Sequence, residues 1–156
     1  MNAQSCLAAL ALLAAPLAAQ KGPTRGGGQV AIGPVAYRFV PISLNLAAAH
    51  AALKGARAFQ LKGELRRDGP PIEFELTGLP PGRIYMLKLR RKAGAGLDVW
   101  AATLKTEMRI EEFEPFPGGR LKLRLSGPLT GAVDGRTVHT TWEGGIWATF
   151  SGVPER

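Results

Sequence analysis

Few of the side chains on which catalytic and metal centres are usually built occur in this sequence. Cys6 is its one cysteine, so no disulfide within the chain can staple the fold. The two histidines, His50 and His139, are far apart, and no carboxylate flanks either at the spacing a zinc site needs. Beyond residue 20 the aspartates are Asp68, Asp98 and Asp134, each isolated, which rules out the clustered oxygen ligands of a calcium loop. No metal or cofactor is therefore expected.

Nucleophilic catalysis finds equally little support. Ser126, Asp134 and His139 supply the residue types of a hydrolase triad, but Leu125-Ser126-Gly127-Pro128 lacks the glycine-flanked elbow that would present a serine. Asp134-Gly135 reads as a turn, and His139 alternates away from Val138 and Thr140. The expectation is a protein that is not an enzyme, with a hydrolase of unrecognised site as a distant alternative.

What the chain does have is apolar residues, glycine and proline. Its 156 residues are 46% hydrophobic, enough for one domain with a real core and too few for two. The 20 glycines and 12 prolines fall between short apolar runs, as in a β domain with many turns. Cys6 to Ala19 is uncharged and rich in Ala and Leu, too short to span a bilayer, and ends in small residues before Lys21. Residues 1–19 accordingly read as a signal peptide, although Met1 to Ser5 carry no Lys or Arg, and Cys6 lies upstream of the apolar run rather than at the cleavage point where a lipid anchor would sit. The expected location is extracytoplasmic, secreted or periplasmic, with no transmembrane span after cleavage. Residues 20–28 read as a flexible linker because of Gly26-Gly27-Gly28, and residues 29–152 as a single β domain.

Within that domain the runs Gln29–Ile32, Val35–Val40, Ala58–Arg66, Ile72–Thr77, Ile84–Arg90, Asp98–Leu104, Glu107–Glu114, Leu121–Ser126, Thr137–Trp142 and Ile146–Ser151 read as strands. Phe59, Leu61, Gly63 and Leu65 share one face and Ile72, Phe74 and Leu76 another, with Asp68-Gly69-Pro70-Pro71 between them as a hairpin turn. Met108 and Ile110 pair in the same way with Leu121, Leu123 and Leu125 across Pro117-Gly118-Gly119, and a third hairpin is expected across Glu143-Gly144-Gly145. Leu61-x-Gly63-x-Leu65 and Leu125-x-Gly127-x-Leu129, each followed by Asp-Gly, hint at an internal repeat. The alanines of residues 46–53 favour one short helix there.

One segment carries a resemblance. Leu79-Pro80-Pro81-Gly82-Arg83-Ile84-Tyr85, with Leu87 and Leu89 in phase behind Tyr85 and Ile72–Leu76 ahead, resembles the tyrosine corner of fibronectin type III and immunoglobulin-like sandwiches, over residues 72–90 only. The resemblance implies a structural role for Tyr85, its hydroxyl bonding a backbone group left unpaired where the chain crosses between sheets. Some seventy residues follow, more than such a domain has after its corner, so the fold expected is an all-β antiparallel sandwich, immunoglobulin-like or larger.

The charge is lopsided, with 20 Lys and Arg against 12 Asp and Glu for a net +8. Such a field favours anionic partners. The densest cluster, Lys88, Arg90, Arg91 and Lys92, could form an anion-binding patch with Arg83 and the alternating row Arg120, Lys122 and Arg124, unless Glu107 and Glu111 neutralise it. No nucleic-acid signature accompanies the charge. Trp100, Trp142 and Trp147 read first as core, with Trp147 out of phase with its neighbours and the better candidate for exposure as a sugar platform. The functional expectation is a non-enzymatic module with a structural or binding role at the cell envelope or outside the cell; the alternative is a domain that binds carbohydrate or an anionic polymer.

Overall fold

A computed structural model of the chain describes residues 24–46 and 58–151. The signal peptide expected over residues 1–19 lies outside them. So does the helix expected near residues 46–53, apart from Leu46, which is strand.

Nine strands follow one another: β1 (Gly26–Ile32), β2 (Val35–Leu46), β3 (Phe59–Arg66), β4 (Ile72–Leu79), β5 (Arg83–Ala93), β6 (Gly96–Ala102), β7 (Glu107–Phe113), β8 (Arg120–Val133) and β9 (Arg136–Thr149). All pair antiparallel, in the order β6-β5-β4-β3-β2-β1-β9-β8-β7, and a further ladder from β6 to β8 closes the sheet. Eight strands make the ring of a β-barrel, with β7 continuing the position of β6 along the first half of β8. No helix is present among the described residues.

The sandwich expectation is therefore corrected. Alternation shows that each strand has one buried face, a requirement that two packed sheets and one closed sheet meet equally well. What decides for closure is the ladder from β6 to β8, Val99 opposite Ala132 to Ala102 opposite Leu129, together with the pairing of β1 with β9 over seven residues, from Gly26 opposite Ala148 to Ile32 opposite Trp142. The glycines expected as linker thus belong to a strand, and the domain begins earlier than Gln29. At Gly28 the backbone takes φ 126°, and a Cβ would come within 2.2 Å of the Gly145 carbonyl oxygen. The close approach of β1 to β9 needs glycine there. At the same end Thr24 Oγ1 donates to Ser151 Oγ at 3.0 Å, and Ser151 Oγ donates to the Leu44 carbonyl at 3.0 Å, tying both ends of the barrel sequence to β2.

Two expected hairpins are present, β3 with β4 and β7 with β8. The third is absent: β9 runs unbroken through Glu143-Gly144-Gly145. Likewise β8 continues past Gly127, whose φ of 112° bends the strand where its partner changes from β7 to β6. The two halves of the suspected repeat consequently do different work, since Gly63 instead leaves room beneath the Phe39 ring. The tight turns follow ordinary hairpin chemistry. Asp134 and Gly135, at φ 51° and 73°, connect β8 to β9 in two residues.

The interior is filled. Phe39, Phe59, Phe74, Leu123 and Trp142 are each no more than 2% exposed. Phe39 of β2 meets Phe74 of β4 edge-on at 5.1 Å across the space above Gly63, and Phe74 lies 6.4 Å from Trp142 of β9. Rings from three separate sides of the barrel touch, so the centre is a packed core. Outward positions such as Lys62, Glu73, Lys88 and Arg124 are charged, the reverse of the apolar outer face that lipid requires of a barrel.

Candidate functional site

Because β-strands alternate, the barrel sorts the chain's charges into rows, and register decides which rows meet. On β5, Lys88 lies opposite Glu75 and Arg90 opposite Glu73, with Arg90 Nε 3.4 Å from the Glu73 carboxylate. Lys92 is exposed opposite Leu97 near the β5–β6 turn. The carboxylates that face this row belong to β4, whereas Glu107 and Glu111 lie on β7, which pairs with the β8 row as expected, Glu107 opposite Ser126 and Glu111 at the bulge between Ile110 and Glu112. Arg120, Lys122 and Arg124 form the expected row on β8, but the two rows do not converge. Arg90 stands opposite Val99, and Val99 opposite Ala132. Ala132 is eight residues beyond Arg124, about 27 Å along the strand. Arg83, exposed at the start of β5, joins neither row.

Arg91 belongs to no surface patch. It shares the inward phase of Leu87 and Leu89, and its Nη2 donates to Asp98 Oδ2 at 2.9 Å inside one mouth of the barrel. The Asp98 side chain is 3% exposed and the Arg91 side chain 28%. Asp98 Oδ1 also accepts the Asp134 backbone N–H at 3.2 Å, and the Arg91 guanidinium lies 5.4 Å from the Trp100 ring centre. The Arg91 hydrogen bond outweighs burial and holds the Asp98 carboxyl below the ordinary aspartate range, while the same bond pushes Arg91 up. This is a plug joining β5, β6 and the β8–β9 turn. Its signal was present in the sequence, since Leu87, Leu89 and Arg91 are spaced by two, as are Asp98 and Trp100.

The Ser126, Asp134 and His139 set is strung along one ladder. Ser126 is opposite Glu143, His139 is opposite Thr130, and Asp134 is in the turn beyond, with about 13 Å between the first two positions. Among the described residues no three His, Cys, Asp or Glu side chains are grouped as metal ligands would be; His50 lies outside those residues. Tyr85 is the extra residue of the β4–β5 bulge, between Ile84 opposite Gly78 and Met86 opposite Thr77, and is 45% exposed, so its ring does not seat in the core as the corner resemblance implied. With one closed sheet there is also no crossing between sheets for it to brace.

Trp147 is the tryptophan that faces outward; Trp100 and Trp142 are 6% and 1% exposed in the core. Around it β1, β9 and β8 build a trough of about 470 Å³. Its floor is made of residues with little or no side chain, Ala31, Ala36, Gly144 and Gly145, and Gly27 lies opposite Trp147. One wall is the basic row, where Lys122 is opposite Trp147 and Arg124 opposite Gly145. The Arg120 guanidinium lies 4.5 Å from the Trp147 ring centre, which holds a third cation at the trough's end. Among the described residues neither Lys122 nor Arg124 has an ion pair, whereas Glu111 is held by Arg109 at 3.1 Å and Glu112 lies 3.8 Å from Arg120. The trough therefore presents two cations without an ion pair, Lys122 and Arg124, the amide of Gln29, the carboxylate of Glu143 and that of Glu111, the last already paired with Arg109, around a shallow floor. The glycines that make the floor were read in the sequence as linker and turn, which is why the trough was not foreseen.

No protein-family model matches the chain, and neither the curated proteins nor the solved structures show a match to it.

Proposed function

We propose that this barrel is a non-enzymatic binding module working outside the cytoplasm, and that the trough beside Trp147 holds a carboxylate-bearing polysaccharide of the envelope or its surroundings. The observation that carries the proposal is the meeting of Trp147, Lys122 and Arg124 over a floor of glycine and alanine. A packed interior leaves no room for a ligand inside the ring, so binding falls to the outer face. Lys122 and Arg124 suit carboxylates, while Gln29, Glu143 and the indole N–H offer the mixed donors and acceptors that sugar hydroxyls use. With Arg120 over its ring, Trp147 contributes an edge and a positioned cation more than a bare stacking face. Extracytoplasmic placement rests on the apolar segment of residues 6–19.

The test is calorimetric titration with oligogalacturonate and with the same oligomer methyl-esterified at its carboxyls. The free acid should bind at least about tenfold more tightly, and the pair Lys122→Gln and Arg124→Gln should remove that difference. Equal binding of acid and ester, or loss of binding on changing Lys88, Arg90 and Lys92 instead, would defeat the proposal.

A further inference from the structure

The barrel wall has a window. Strand β5 pairs with β4 along nearly its whole length, but its ladder to β6 covers only Lys88 to Ala93. Below that, the chain leaves the wall as the turn Thr103-Leu104-Lys105-Thr106 and re-enters it as β7, which is paired with β8 and forms no ladder with β5 among the described residues. The turn holds itself away from β5: Thr106 Oγ1 receives the Thr103 N–H at 2.7 Å and bonds the Pro128 carbonyl, and Thr103 Oγ1 receives the Lys105 N–H at 3.1 Å. A recess of about 710 Å³ results, bounded by Gly82 to Leu87 on one side and Ala101 to Thr106 on the other.

Its chemistry is uneven in a useful way. Ile84, Leu87 and Ala102 make an apolar back, Leu104 stands fully exposed at the rim, and Arg83 is the one charged residue in the lining. Among the described residues Arg83 has no ion pair, and no carboxylate lines the recess. Strand β5 offers its side without a ladder to the same space, and sheet edges of this kind accept an added strand. Both ends are shut, by the Lys88–Ala101 pairing above and by the approach of Gly82 to Met108 below, where a Cβ on Gly82 would come within 2.6 Å of the Met108 carbonyl oxygen. A continuous strand would have to enter and leave through closed ends. A chain terminus needs only to enter.

We infer that the window is a binding site for the C-terminal end of an extended polypeptide. The incoming segment runs antiparallel to β5, places apolar side chains toward Ile84 and Leu87, and sets its terminal carboxylate against Arg83 at the lower end. The site is separate from the trough, and neither depends on the other.

The probe is an N-acetylated pentapeptide of alternating valine and threonine, prepared with a free C-terminal carboxylate and as the C-terminal amide. Nuclear magnetic resonance titration of the full chain should shift the backbone amides of Ile84, Met86 and Ala102 with the acid, and the amide form should bind about tenfold more weakly. Arg83→Gln, at an exposed position that leaves the core intact, should weaken the acid to the level of the amide form without changing the circular dichroism. A free peptide and the tail of a whole protein share this chemistry, so the pentapeptide is also fused to the C-terminus of an inert carrier, and equal affinity is expected. Equal binding of acid and amide, shifts away from the window, or no binding of either form at millimolar concentration would overturn the inference.

Discussion

Replacing Asp98 with asparagine should loosen the barrel at one mouth, by an amount that the surroundings of the carboxylate bound. The side chain is 3% exposed, accepts Arg91 at 2.9 Å and the Asp134 N–H at 3.2 Å, and so couples β5, β6 and the β8–β9 turn. Losing one partner of a fully buried pair costs about 3–5 kcal/mol and of an exposed pair about 0–1 kcal/mol. Arg91, at 28% side-chain exposure, keeps some contact with water. Asp98→Asn should therefore cost about 2 kcal/mol at pH 7, between those limits. The pH dependence has a definite sign. With its folded-state pKa depressed, Asp98 adds stability above the unfolded aspartate value near 4 and loses that contribution as pH falls through the lower folded value. Urea unfolding followed by the fluorescence of the buried Trp100 and Trp142 should show a midpoint gap between wild type and variant at pH 7 that narrows toward pH 2. An unchanged midpoint at pH 7, or a gap that widens in acid, would show that the Arg91–Asp98 pair does not hold this mouth together.

Other perturbations separate the parts of the account. Gly63→Ala places a Cβ 2.7 Å from Phe39 Cε1 and from the Val40 carbonyl oxygen, and should cost about 1–3 kcal/mol in thermal or urea unfolding through overpacking. Trp142 Nε1 is buried without a hydrogen-bond partner, so Trp142→Phe removes an unsatisfied donor as it removes volume; the two effects offset, and the loss should stay within about 1.5 kcal/mol, against about 3–5 kcal/mol for Trp142→Ala. Asp134→Ala, at φ 51°, should cost about 1 kcal/mol and Asp134→Asn less, measured in the same way.

Strand positions were legible in the sequence wherever apolar residues alternate, as in β3, β4 and the first half of β8. Closure was not, because alternation tells which face of a strand is buried and is silent about which strand lies beside it. Glycine misled in a consistent direction. Gly26–Gly28 read as linker, Gly144-Gly145 as a turn, and Gly127 lay just past the strand read over Leu121–Ser126, whereas in the barrel they let backbones approach or bend inside long strands. That is also why β9 read as two strands and the trough floor stayed hidden. Charge density misled at Arg91: the run Lys88-Leu89-Arg90-Arg91-Lys92 looks like one patch, but period two sends Arg91 inside to Asp98 along with Leu89 and leaves Lys88, Arg90 and Lys92 outside. The tyrosine-corner resemblance rested on turn residues and a following tyrosine, features that the bulged β4–β5 turn of a closed sheet shares.

Whether the ring is full and ligand binds on its outside at Trp147 can be read from the indole N–H resonances of the three tryptophans. Trp100 and Trp142 face the core and Trp147 faces the trough. Titrated with oligogalacturonate, the Trp147 signal should move in a saturable manner while the other two stay fixed. Movement of the Trp142 signal, or binding with all three unmoved, would contradict a full ring with its ligand outside at Trp147.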